Sequence, residues 1–275
     1  MKMRKMQKWL ICGCLLLFLT LILTPLYWSV ILSFDRAATT VLPPFALLPR
    51  EFTTFNYYFA FNALPLLRLY FNTAFITAVN TIISVSVALM CGYAFAKVDF
   101  FLKRFWFLFM LAVMMMPFES RLIPLFLQYN NWGLLNTWYP LILGNFAYIF
   151  GTFFARQNIG SLPDSLRESV FIDGGGEWRI FLSIVVPLSK PLIATLCILQ
   201  ILFHWNSYLW PLVTIRTSSL QMISVGVAMF NAQQAGVIIG PRMAVAVISA
   251  IPLTIAFLFL QKYIVQSIAV TGIKQ

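Results

Sequence analysis

Four of the chain's eight carboxylates, Asp164, Glu168, Asp173 and Glu177, fall within one stretch of 35 residues, 156–190, reading RQNIGSLPDSLRESVFIDGGGEWRIFLSIVVPLSK. With Arg167 and Arg179 they form a polar face of mixed charge, able to make ion pairs with a partner or to stand solvated. The three glycines, Gly174 to Gly176, are followed by Glu-Trp and not by Lys-Ser/Thr. No phosphate-cradling loop of the G-x-x-x-x-G-K-[ST] type therefore occurs in the chain. Nor do His and Cys residues fall at metal-ligand spacing. The chain carries no catalytic or metal centre legible in its sequence, and it reads as a non-enzyme.

The elements around this stretch are apolar. Of 275 residues 61% are hydrophobic, only 10% are charged, and mean hydropathy is +0.86. Soluble domains are near half apolar and a quarter charged, so the chain reads as an all-α polytopic membrane protein. A bilayer core takes about 20 apolar residues as a helix, which predicts six spans near 9–33, 73–96, 105–127, 138–155, 192–213 and 243–264. Glu119, Ser120 and Arg121 interrupt the third and mark a bend or interfacial segment there.

The net charge of +11 is an orientation signal. Lys and Arg collect on the cytoplasmic side of spans, and with both termini cytoplasmic thirteen of the nineteen fall inside and six outside. Nucleic-acid binding is excluded, because no basic stripe with interleaved aromatics occurs. The first span is too long for a secretory h-region and reads as a retained helix. Cys12, Cys14, Cys91 and Cys197 all fall within spans and read as small packing residues.

The organisation is then an N-terminal helix with an external loop (1–72), a five-helix transport core (73–265) and a cytoplasmic tail (266–275). The external loop carries four prolines among aromatics and is expected to pack along the outer face. Within 156–190, Ser161 and Asp164 make a capping arrangement with Pro163 in the first turn. Leu162, Leu166 and Val170 form an apolar stripe, and the glycines end that helix. Trp178, Phe181, Leu182 and Val185 are expected on one face of a second helix ending at Pro187. Together they predict two short helices on a glycine hinge, forming a cytoplasmic knob.

The run Glu168-Ser169-Val170-Phe171-Ile172-Asp173-Gly174, with Phe181 and Pro187-Leu188-Ser189-Lys190-Pro191, resembles the "EAA" loop of permease subunits of binding-protein-dependent ABC importers. Ser169 and Val170 stand where that family has paired alanines, and Gly175 where it has a third. Leu135-Asn136-Thr137-Trp138, Trp205-Asn206-Ser207-Tyr208-Leu209-Trp210-Pro211 and the ending around Gly272-Ile273-Lys274 narrow the resemblance to the shorter, maltose-type carbohydrate subunit. It covers 73–275 well and the first span in outline.

The resemblance implies a multi-pass cell-membrane protein that pairs with a second, different permease subunit. It also implies two cytoplasmic ATPase subunits, which bind ATP and Mg, and an extracytoplasmic solute-binding protein that delivers a sugar. This chain itself would bind no cofactor. Arg167, Glu168, Ser169, Asp173, Gly174 and Gly175 would form the ATPase-coupling set, with Asp173 either touching the partner or closing the turn. Gly272, Ile273 and Lys274 would reach the ATPase interface.

Other residues are candidates for a substrate pathway. The Asn206 amide suits a sugar hydroxyl or a neighbouring helix. Trp205, Tyr208 and Trp210 suit ring stacking or an interfacial belt, and Glu119 and Arg121 an outer gate or a locally paired bend. His204, alone in the fifth span, reads as a hydrogen-bonded structural group. Rival readings keep the machine but change the cargo to a polyamine or phosphate ester, or replace it with an ion-coupled carrier. The carrier would need buried mid-membrane carboxylates, and only Glu119 comes near.

Overall fold

The computed structural model describes residues 5–38, 47–233 and 239–272; they are mostly helical, with an isolated bridge between Asp35 and Phe52 and no β-strand among them. Three helices are long and apolar enough to cross a bilayer, over Lys8–Ser33, Leu66–Lys97 and Ile239–Phe259. Two bent pairs, Lys103–Met114 with Phe118–Asn131 and Glu177–Leu188 with Lys190–Trp205, raise the number to five if each is one span. The described residues divide into two compact units, one built from residues up to Leu66 with Gly226–Pro252 and the other from Leu67–Val225 with Leu253 onward.

In the first unit, helix α1 (Lys5–Ser33) is apolar all round and none of its most hydrophobic stretch is covered by the rest of the chain. Such a helix is suited to lipid or to another apolar chain, not to water. Beyond α1, the Arg36 and Thr53 amides bond the Glu51 and Phe34 carbonyls at 2.9 and 2.8 Å. The external loop then enters α2 (Phe55–Ala63). Asn56, buried, donates to the carbonyls of Ser33 and Asp35 at 3.0 and 3.1 Å and ties the loop to the end of α1.

In the second unit, α3 (Leu66–Lys97) is the axis. The third predicted span is bent, but just before the expected interruption: α4 (Lys103–Met114) and α5 (Phe118–Asn131) meet at 96°, with Pro117 at the break and Glu119, Ser120 and Arg121 inside the first turn of α5. Pro124 sits inside α5 without ending it.

The fourth predicted span, 138–155, is not one helix. It is α6 (Tyr139–Leu143) and α7 (Ile149–Gly160), separated by non-helical backbone. Side chains supply donors to the carbonyls at the break, and the Leu141 carbonyl in particular takes no bond from the Asn145 backbone amide, which turns to Ile142 instead. Trp210 Nε1 bonds the Pro140 carbonyl at 2.9 Å, and the amides of Asn80 and Asn145 both bond the Leu141 carbonyl at 3.0 Å. A broken helix is tolerated in a membrane where neighbours satisfy the freed backbone in this way.

The 156–190 stretch follows as α8 (Ser165–Ile172), α9 (Glu177–Ile180), a π-helical turn over Phe181–Val185 and α10 (Val186–Leu188). It leads to α11 (Lys190–Trp205), α12 (Leu209–Thr214), α13 (Ile223–Gln233) and α14 (Ile239–Gly272).

Candidate coupling loop and its anchors

The glycine hinge has a defined geometry. Helix α8 ends in a Schellman cap: Gly175 N–H bonds the Val170 carbonyl at 2.8 Å, and Gly174 N–H bonds Phe171 at 3.0 Å. Gly174 itself has φ +73°, the left-handed region where a side chain is strained. Gly175 is constrained by space instead. A Cβ there would lie 2.5 Å from Val170 Cγ1. The two departures from the alanine pattern thus fit each other, the larger Val170 filling the room that Gly175 leaves.

Two sequence expectations for this stretch are corrected. Ser161 and Asp164 do not cap α8. Ser161 closes the end of α7, its hydroxyl on the Asn158 carbonyl at 2.8 Å. Asp164 precedes α8 without a side-chain cap bond and instead pairs with Lys97 at 2.7 Å. An ammonium is the stronger attraction for a carboxylate than a backbone amide. The second stripe also splits: Phe181 and Val185 are buried beside Ile180, whereas Trp178 and Leu182 are exposed. The π-turn beginning at Phe181 alters the helical phase across the stripe.

The stretch is held to the end of α3 by charge. Lys97 donates to Asp164 and to the Leu162 carbonyl, both at 2.7 Å. That contact holds the Asp164 carboxyl below the usual aspartate range, through the hydrogen bond first and the lysine charge second. Arg167 pairs with Glu177 across the hinge, and the Tyr93 hydroxyl donates to the same carboxylate. The Glu177 partner raises the Arg167 pKa above the ordinary guanidinium value. Beneath these pairs, Val85, Leu89 and Tyr93 of α3 share one buried cluster with Ile159, Ile180, Phe181, Leu192 and Leu196.

What remains free is the outward face. Glu168, Ser169, Asp173 and Gly174 are exposed, and so are Phe171, Ile172, Trp178 and Leu182. Of the sequence-derived set, Glu168, Ser169, Asp173 and Gly174 share this face, Gly175 is half-buried against Val170, and Arg167 turns inward to Glu177. Sequence reasoning counted Lys97 only as an orientation charge, and it missed Tyr93. A Tyr placed four residues before a terminal Lys on the last turns of an apolar helix was the available signal.

The far end of α3 is pinned differently. Asn72, fully buried, donates to the carbonyls of Ser219 and Gln221 at 2.8 and 2.9 Å. Thr73 Oγ1 accepts the Ile223 amide at 2.8 Å, and Arg68 bonds Ser219 at 3.0 Å. Asn136, at φ +59°, accepts the Arg216 and Thr217 amides at 2.9 and 2.8 Å. From Asn72 to Tyr93 the helix rises about 32 Å, close to the hydrocarbon thickness of a bilayer. The two sets of anchors thus fit opposite faces of a membrane.

The remaining candidates scatter. Asn206 is exposed and its amide bonds the Leu202 carbonyl at 2.8 Å; Tyr208 is exposed too. Trp205 and Trp210 are buried within the chain, Trp205 with its ring 6.3 Å from that of Tyr70. His204 is buried, but its Nε2 has no hydrogen-bond partner among the described residues, contrary to the expected bonded histidine. Glu119 is exposed in the first turn of α5. Arg121 Nε is buried without a partner, and neither residue forms an ion pair among the described residues, so the bend is not locally paired. Gly272 ends α14, while Ile273 and Lys274 lie outside the described residues.

A family model described as "Binding-protein-dependent transport system inner membrane component" matches residues 84–270, from mid-α3 through the hinge to the last helix. The chain belongs to this family. The permease is similar to the arabinooligosaccharides transport system permease protein AraQ of Halalkalibacterium halodurans, 34% identical over 227 residues, covering 82% of this chain and 81% of that one. It is also similar to the diacetylchitobiose uptake system permease protein NgcG of Streptomyces coelicolor, at 28% over 258 residues, with 93% and 85% covered. The sn-glycerol-3-phosphate transport system permease protein UgpE of Brucella abortus is 27% identical over 269 residues, with 94% and 95% covered.

The fold is shared with a chain in the crystal structure of a bacterial ABC transporter that imports the acidic polysaccharide alginate. The TM-score is 0.82 at 23% identity, covering 96% of this permease and 99% of that chain. The permease is thus an inner-membrane transport component with the ABC importer permease fold, and not an enzyme.

Proposed function

We propose that this permease is one of two different membrane subunits of an ATP-driven importer for a carbohydrate, of oligosaccharide type, and that its 156–190 loop is the seat of a separate ATPase. The observation that carries the reading is the division of that loop into two faces. One face is clamped to α3 by Lys97–Asp164 and by the Tyr93–Glu177–Arg167 group. The other presents Glu168 and Asp173 beside exposed Ile172 and Trp178, a charged rim around apolar anchors suited to a protein partner.

A push on the exposed face passes into α3 through the clamp, and α3 carries it as one 32-residue helix to the amide-pinned far end. ATP and Mg belong to two cytoplasmic ATPase subunits. A solute-binding protein delivers the sugar on the opposite side, and closure of the ATPases drives alternating access. Six spans and cytoplasmic termini accompany this reading, with the broken α6–α7 segment as the fourth span; the charge bias of thirteen to six supports that orientation. The tail at Gly272, Ile273 and Lys274 reaches the ATPase interface, and Asn206, Tyr208, Glu119 and Arg121 are the pathway residues with Trp205 behind them. Likeness to the arabinooligosaccharide and diacetylchitobiose permeases supports the sugar. Likeness to the sn-glycerol-3-phosphate permease supports a phosphate ester as the second reading.

The test is to reconstitute the complex with its binding protein and screen solutes for stimulated ATP hydrolysis. Stimulation by arabino- or chito-oligosaccharides is expected. Stimulation by glycerol phosphate alone selects the second reading, and uptake by this chain alone on an ion gradient overturns both.

A further inference from the structure

Three cations converge where α3, α4 and α7 meet. A cavity of about 410 Å³ is lined by Lys103, Arg104 and Arg156, with Phe95, Phe107 and Leu108 completing its wall. The Arg156 guanidinium lies over the Phe107 ring, 3.8 Å from its centroid, and its Nε bonds the Phe95 carbonyl at 3.2 Å. Those contacts hold the group in place, and no hydrogen bond among the described residues uses its terminal nitrogens. Among the described residues, the one carboxylate paired with any of the three is Asp99, 3.5 Å from Lys103. Arg104 and Arg156 have no carboxylate partner among the described residues.

A second cavity of about 490 Å³ shares the Phe95 wall. Its lining includes Trp106, Phe109 and Val113 of α4 and Ile149 of α7, and it is almost wholly apolar. A cationic cup opening beside an apolar groove on a membrane-spanning bundle has the shape of a phospholipid: anionic head in one, acyl chain in the other. Basic pockets between membrane helices bind anionic headgroups by this chemistry. Trp106, 49% exposed, lines the apolar groove, and Trp is enriched near the membrane boundary.

We propose that Lys103, Arg104 and Arg156, with the groove below Phe95, form a binding site for one anionic phospholipid. The site needs only the membrane placement of the chain and does not depend on what the complex transports.

The test uses the assembled complex in nanodiscs of phosphatidylcholine with or without phosphatidylglycerol, with retained lipid counted by native mass spectrometry. Lys103→Gln and Arg104→Gln remove charge at the helix start without touching the Arg156 packing. Retained phosphatidylglycerol should fall about fivefold for each cation removed, while phosphatidylcholine retention stays unchanged. Millimolar inorganic phosphate should leave phosphatidylglycerol in place. Equal retention in wild type and the double variant overturns the site, as does displacement by phosphate, which would mean a headgroup-only anion pocket. A photo-cross-linker at position 106 that captures the second permease subunit instead of lipid also overturns it, by putting protein in the groove.

Discussion

The two ends of α3 are fastened by opposite chemistries. At the loop end, Lys97 with Asp164 and Arg167 with Glu177 and Tyr93 are side-chain pairs, part-exposed and charged. At the far end, Asn72 and Thr73, both fully buried, bind the backbone of Ser219, Gln221 and Ile223 with neutral groups, and the exposed Arg68 adds one charged bond to Ser219. Part-exposed ion pairs are screened by salt and rearrange readily. A buried amide whose partner is lost leaves a desolvated polar group behind. The contrast supports a fixed footing at the far end and a fastening at the loop that can shift when a partner presses on it.

The comparison breaks most severely at the fixed end. Asn72→Ala should cost about 1–3 kcal/mol, because the buried Gln221 carbonyl loses its donor while the Ser219 carbonyl keeps Arg68, and thermal unfolding in detergent measures it. A melting temperature equal to wild type would remove the distinction between the ends.

The hinge comes next. Gly175→Ala should cost about 1–3 kcal/mol as an overpacking change, since its Cβ would meet Val170. The double variant with Val170→Ala should recover most of the loss, so the two changes should couple and not add. Additive losses would show that the two positions do not share space.

Glu177→Gln should alter global stability little, because part-exposed ion pairs are worth about 0–1 kcal/mol. Its effect should appear as faster hydrogen exchange over 165–180, and high salt should produce the same change in wild type. Asn72→Ala should show no such salt mimicry.

The smallest effect is with pH. The Asp164 carboxyl is held below its ordinary value by Lys97, so its contribution is complete above the unfolded aspartate pKa and is lost as pH falls through the depressed folded one. Exchange protection near 161–164, taken relative to the intrinsic rate at each pH, should therefore be flat at neutral pH and fall only in acid. Asp164→Asn should abolish that acid limb.

Much of the loop was legible because its signals are local. The three glycines ended α8 as expected, and the charges at Glu119 and Arg121 signalled a bend that lies just before them, at 115–117. The features that escaped depend on distant partners. Tyr93 meets Glu177 across 84 residues, and Asn80 and Trp210 supply donors to the carbonyls at the break in the fourth span. Trp205 and Trp210 looked like membrane-boundary or stacking residues, yet both are buried. A lone Asn or Gln in an apolar run was the one local sign of the far-end pins, and sequence alone did not give its partner.

The central claim is that the exposed face of the loop is where an ATPase takes hold. Glu168→Lys in the reconstituted complex tests it most directly, since Glu168 is exposed and makes no ion pair among the described residues. Substrate-stimulated ATP hydrolysis and uptake should be lost while both membrane subunits still co-purify at wild-type yield. Wild-type stimulation and uptake in that variant would contradict the account.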